Sequence, residues 1–95
     1  MRYTITTIEN FITSIRESFD ESIEVYTNGS CIRFALILDS VFPGGKILYD
    51  YNHAIWEYDG VCYDINGQVK KTLNHFDIKE LPYYKLNELF KLKHK

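Results

Sequence analysis

Two prolines and five glycines in 95 residues leave no stretch that reads as a linker, and no internal repeat or low-complexity tract is visible. Cysteine is as scarce. Cys31 and Cys62 are the only two, and they form no CxxC pair or other metal-type spacing. A metal site drawn from Cys31, His53, Cys62 and Asp64 is chemically conceivable, but no paired spacing enforces it, so no metal is expected. No apolar run approaches the roughly 18–20 residues of a membrane span. The opening "MRYTITTIEN" lacks a basic start, an apolar core and a small-residue cleavage site, so no signal peptide is visible. The expected location is a reducing cytoplasm, where two thiols are favoured over a bridge. No phosphate-cradling glycine pattern occurs, since "PGG" reads as a helix stop.

What is present is apolar and aromatic. An apolar fraction of 45% with 16% aromatic residues excludes disorder and supports one packed core. Ninety-five residues make a single domain, 1–95. The net charge of −2 is unevenly divided: residues 1–66 carry 4 Lys/Arg against 10 Asp/Glu, and residues 67–95 carry 7 against 3. The lysines of the basic tail are spread through an amphipathic segment without arginine or a dense run. A solvated helix face is therefore favoured over a nucleic-acid contact.

The first helix reads from "TTIENFITSIRESF", capped by Thr6 or Thr7, with Ile8, Phe11, Ile12, Ile15 and Phe19 on one stripe. "IEVY" reads as a short extended piece and "TNGS" as a turn. A second helix, "CIRFALILDSVF", follows with Cys31, Phe34, Ala35 and Leu38 on one face and ends at "PGG". Three strands come next, "KILYD", "HAIWEYD" and "VCYDI", the last two joined by a hairpin turn at Asp59-Gly60. "FDIKEL" gives one turn of helix. Pro82 then starts a last helix with Tyr83, Leu86, Leu89 and Phe90 facing inward. The fold class is α+β, a small antiparallel sheet packed by helices.

A two-residue loop at Asp59-Gly60 sets Tyr58 opposite Val61, Ile55 opposite Asp64 and His53 opposite Asn66. Alternation then places His53, Ile55, Glu57, Cys62, Asp64 and Asn66 on one face. Ala54, Trp56, Tyr58, Val61, Tyr63 and Ile65 take the other, where the three aromatic residues pack on the first or last helix. His53 and Asp64 become diagonal neighbours, within reach of a carboxylate–imidazole hydrogen bond. The Cys31 helix is expected to pack on the His53 face.

A cysteine is a nucleophile as its thiolate, which a helix N-terminus stabilises. A neighbouring histidine completes an ion pair, and an acid on the far nitrogen sets its tautomer and direction. The N–H of Cys31 is a candidate oxyanion donor, with Asn28 and Tyr26 as upstream candidates for a second. Alone, Cys31 reads as a small buried residue, His53 as a surface or capping histidine, and Asp64 as a strand-end carboxylate. Their combination, in this order and geometry, favours a site. Tyr49 and Tyr51, just before His53, are placed to line a substrate cleft. Cys62 lacks a predicted cation and is expected to stay protonated. His75 and His94 fall in polar segments and are expected to be solvated.

"NGSCIRFALILDSVF" resembles the nucleophile helix of the transglutaminase-like and papain-like cysteine hydrolases, and "HAIWEYDGVCYDINGQV" resembles their histidine and aspartate strands. The resemblance covers about residues 28–69. It implies a minimal member with a transglutaminase/papain-like core, in which Cys31 is the nucleophile, His53 the general base and Asp64 the orienting acid. The implied activity is hydrolysis or acyl transfer on a protein or peptide-like amide, with Tyr49, Tyr51 and Asn28 at the substrate and no cofactor. The alternative is a non-catalytic binding or inhibitor module of the same fold, encoded by a phage or mobile element. Substrate, acceptor and oligomeric state are not legible in the sequence.

Overall fold

The computed structural model describes residues 2–18, 21, 24–26, 31–82 and 85. Helix α1 spans Ile5–Arg16. Its cap is Thr4, not Thr6 or Thr7: Thr4 is extended (φ −83°, ψ 159°) and its hydroxyl accepts the Thr7 N–H at 3.1 Å. A threonine can cap only where the backbone is still extended, and Thr6 and Thr7 already lie inside the first turn. Ile8 and Ile12 are fully buried, and Phe11 and Ile15 pack beside them. Phe19 lies outside the described residues. The expected extended piece is corrected at residues 24–26, which are helical, with the Val25 N–H bonded to the Glu21 carbonyl at 2.9 Å. That local bond satisfies the backbone without a partner strand.

Helix α2 spans Cys31–Val41 and buries the stripe formed by Cys31, Phe34, Ala35 and Leu38. It stops at Pro43-Gly44, where Gly44 takes φ 110°, a value only glycine adopts at no steric cost. Phe42, at the break, meets Tyr3 and Phe11 edge-on at 4.9 and 5.5 Å. Gly45 is required for a different reason. A Cβ there would sit 2.6 Å from both the Glu57 carbonyl oxygen and the Trp56 indole.

Five strands follow: β1 (Lys46–Tyr49), β2 (Ala54–Tyr58), β3 (Val61–Asp64), β4 (Gly67–Val69) and β5 (Phe76–Asp77). They form one sheet in the order β4-β3-β2-β1-β5, antiparallel at every pairing. The β2–β3 turn is at Asp59 (φ 53°) and Gly60 (φ 81°), as a left-handed hairpin turn demands. Its ladder pairs Tyr58 with Val61, Glu57 with Cys62 and Trp56 with Tyr63, in the expected register. The expected pairings of Ile55 with Asp64 and of His53 with Asn66 are not in that ladder, because β3 ends at Asp64 and turns there into β4. The turn of "FDIKEL" is a 3-10 turn, Ile78–Glu80, capped by Asp77. The last expected helix lies outside the described residues, Lys85 excepted.

Helices α1 and α2 cover the face that carries Ile47, Tyr49, Ala54, Trp56, Tyr58 and Tyr63. This corrects the expectation that the Cys31 helix packs on the face of Ile55 and Cys62. The physical reason is area. Large aromatic surfaces give an apolar helix stripe far more to bury than a face interrupted by Glu57 and its lysines. The indole N–H of Trp56 donates to Asp39 of α2 at 3.0 Å, which ties helix to sheet and satisfies the one polar atom of a fully buried ring. Leu48, Ile55 and Cys62 form a smaller cluster on the second face, joined by Val69.

Candidate active site

Cys31 opens α2, so its thiol stands at the end of the helix where the first-turn N–H groups point outward. The backbone N–H of Ala54 donates to Cys31 Sγ at 3.4 Å. That contact brings β2 against the helix start and sets His53, one residue earlier, beside the thiol. His53 precedes the ladder, so strict alternation does not bind it to the second face. This is how a helix on the aromatic face and a histidine assigned by pattern to the opposite face still meet.

His53 Nε2 and Asp64 Oδ2 are 2.9 Å apart. The same imidazole is hydrogen-bonded to the sulfur of Cys31. The bond to Asp64 and the bond to Cys31 outweigh burial and hold the imidazole protonated, with its pKa raised to about 10. Asp64 is 8% exposed and uses both oxygens. Oδ2 meets His53, and Oδ1 accepts the Asn66 N–H at 2.7 Å. The turn that ends β3, with Gly67 at φ 104°, therefore also aims the carboxylate. The structure brings Cys31, His53 and Asp64 together.

Of the two tyrosines expected at a substrate cleft, Tyr51 is 62% exposed and Tyr49 only 3%. Their rings meet edge-on at 5.4 Å, and Phe76 of β5 lies 5.4 Å from Tyr51. Burial, then the charges of Cys31, Asp50 and Tyr51, push the Tyr49 phenol above its ordinary pKa, so it stays a neutral hydroxyl. Asn28 lies outside the described residues. Tyr26 is half-buried with its ring 5.1 Å from Phe34.

The second thiol has other surroundings. Cys62 Sγ lies 3.7 Å from Glu57 Oε2, and Glu57 is clasped by Lys46 at 3.2 Å and Lys71 at 3.1 Å. Burial first, then Glu57, raises the Cys62 pKa, and the two lysines offset this only in part. Neither cysteine is in a disulfide. Among the described residues no group of three His, Cys, Asp or Glu side chains is arranged to hold a metal ion. No helix among them is long and apolar enough to cross a membrane.

Sequence reasoning missed Asp50 and His75. Asp50 Oδ1 accepts the N–H groups of Asn52 and His53 at 2.9 and 2.8 Å, and the available signal was an aspartate at a strand end three residues before the histidine. Burial raises the Asp50 pKa, but the two backbone N–H bonds and the two histidines outweigh it, and the carboxyl ends below its ordinary value. His75 is corrected from solvated to buried. Its side chain is 5% exposed, because the short strand β5 brings it in against β1. His94 lies outside the described residues.

A model of the Phage YunG-like protein family matches residues 8–94, and the chain belongs to that family. This corrects the resemblance to the transglutaminase-like and papain-like hydrolases, which rested on short segments around Cys31, His53 and Asp64 rather than on the whole chain. Among curated proteins and among solved structures, nothing matches the chain significantly.

Proposed function

We propose that this member of the Phage YunG-like family is a cysteine-dependent hydrolase or acyl transferase acting on a protein or peptide-like amide. One observation carries the reading: a single imidazole bonds to Asp64 at 2.9 Å and also to the thiol of a cysteine that opens a helix. The finer fold reading is a core in which a cysteine helix meets a histidine at one strand and an acid at the next.

In this reading the Cys31 thiolate attacks the carbonyl carbon and forms a C–S bond, while the carbonyl oxygen becomes an oxyanion facing the Cys31 backbone N–H. The His53 imidazolium gives its proton to the departing nitrogen as the C–N bond breaks. Water or an amine, deprotonated by His53, then attacks the thioester, the C–S bond breaks, and the thiolate returns. Asp64 holds the ring and its charge throughout. Tyr51 offers an exposed ring beside the site, backed by Tyr49. The reaction needs no cofactor, and a reducing cytoplasm suits a thiolate nucleophile.

A second reading, a non-catalytic binding or inhibitor module, is favoured by the burial of Cys31, which is 3% exposed. The experiment that separates the two is intact mass after brief exposure to iodoacetamide near neutral pH, followed by peptide mapping. Preferential labelling of Cys31 that depends on His53 supports the enzyme. Equal, slow labelling of both thiols supports the module.

A further inference from the structure

Between β1 and β2 the chain makes a tight, strained turn. Tyr51 takes φ 72°, a left-handed conformation that is strained for a bulky side chain. Something must hold it there. The Asp50 carboxylate spans the turn, with Oδ1 accepting the N–H of Asn52 at 2.9 Å and of His53 at 2.8 Å. The His53 main chain has no place in the β2 ladder, which starts at Ala54. Asp50 supplies the bond that a ladder partner would otherwise give. His53 is thus gripped twice, at its backbone by Asp50 and at its ring by Asp64.

Asp50 also has a histidine neighbour. Its Oδ2 lies 3.7 Å from Nε2 of His75, a buried atom that makes no hydrogen bond among the described residues. The Thr72 N–H donates to His75 Nδ1 at 3.0 Å and holds that ring in place. His75 immediately precedes β5, whose Phe76 pairs with Tyr49 of β1. Both ends of this support therefore rest on the sheet.

We infer that Asp50 is a positioning residue of the site, one that places His53 by accepting its backbone N–H rather than by its charge. The catalytic consequence rests on the thiol chemistry proposed above; the placement of His53 does not. An angstrom of misplacement at a reacting group is worth about 100-fold in rate, and a bond of 2.8 Å to the histidine main chain controls displacement on that scale.

Two substitutions separate position from charge. Asp50→Asn keeps an acceptor oxygen in the same place and removes the charge. Asp50→Glu keeps the charge but moves the acceptor out by one methylene. Each is compared with the parent chain in two measurements: the His53 imidazole titration by NMR, and the rate of Cys31 alkylation by iodoacetamide. Asp50→Asn is expected to retain the raised His53 titration and the parent rate, after loss of the Asp50 charge is allowed for. Asp50→Glu is expected to bring the titration down toward an ordinary histidine and to slow alkylation about 10- to 100-fold. The opposite ranking, or no change in either variant, overturns the inference. A lowered melting temperature with the His53 titration intact also overturns it, since that is a purely structural role. If Cys31 in the parent chain labels no faster than Cys62, the hydrolase reading falls, while the titration still decides the role of Asp50.

Discussion

The backbone N–H of Ala54 points at Cys31 Sγ, 3.4 Å away, so the residue that follows His53 touches the very thiol that His53 hydrogen-bonds. This contact joins the start of α2 to the start of β2. It also gives the sulfur a donor that favours negative charge, and it ties thiol chemistry to the packing of helix on sheet.

The two thiols should therefore differ in the folded protein. An unperturbed thiol is only a few per cent ionised at neutral pH. Cys31, beside a protonated imidazole and a helix N-terminus, is expected to alkylate about tenfold faster than Cys62. His53→Ala should remove most of that advantage. Cys62, raised by burial and by Glu57, should label readily only after denaturation. Peptide mapping of timed iodoacetamide reactions checks all three outcomes.

Asp64→Asn should leave the fold in place, because an amide oxygen can still accept the Asn66 N–H. The imidazolium loses its largest stabilising bond, so the His53 titration should fall well below its value of about 10. Any acyl-transfer activity should fall by on the order of 100-fold or more. Parent-like activity would reduce Asp64 to a strand-end residue. The histidine titration by NMR and a turnover assay on one preparation give the answer.

Stability should depend on pH through His53. Its pKa is raised from 6.5 to about 10 on folding, so the folded state binds the proton more tightly than the unfolded chain. The resulting contribution is fully present below the unfolded value and is lost as pH rises through the folded one. Urea midpoints of the parent chain should therefore fall between about pH 6 and about pH 10 more steeply than those of His53→Gln. Parallel curves would show that folding does not raise the His53 pKa.

Gly45→Ala should be destabilising although the site is a loop. The added methyl would lie 2.6 Å from the Trp56 indole and the Glu57 carbonyl. Relieving that overlap means moving the ring that anchors Asp39, at a cost of about 1–3 kcal/mol. Gly60→Ala, which meets nothing within 4 Å, should cost only the strain of its φ of 81°. Thermal unfolding of the two variants side by side tests the ranking.

The sequence by itself determined whatever is local and periodic. The stripe of α2, the stop at Pro43-Gly44 and the hairpin at Asp59-Gly60 each depend on residues within a few positions of one another. The hairpin register then carried His53 toward Asp64 across the sheet, because one turn sets every pairing that follows it. Strands β4 and β5 were not legible, since three and two residues are too short for alternation to show. Which face α2 would cover was not local either. It depended on the summed aromatic area of Tyr49, Trp56, Tyr58 and Tyr63, contributed by three strands. Only the tertiary structure decided that the Ala54 N–H meets Cys31, that Asp50 holds the His53 backbone, and that His75 is buried behind it. Those contacts join separate elements, and their geometry exists only once helix and sheet have packed.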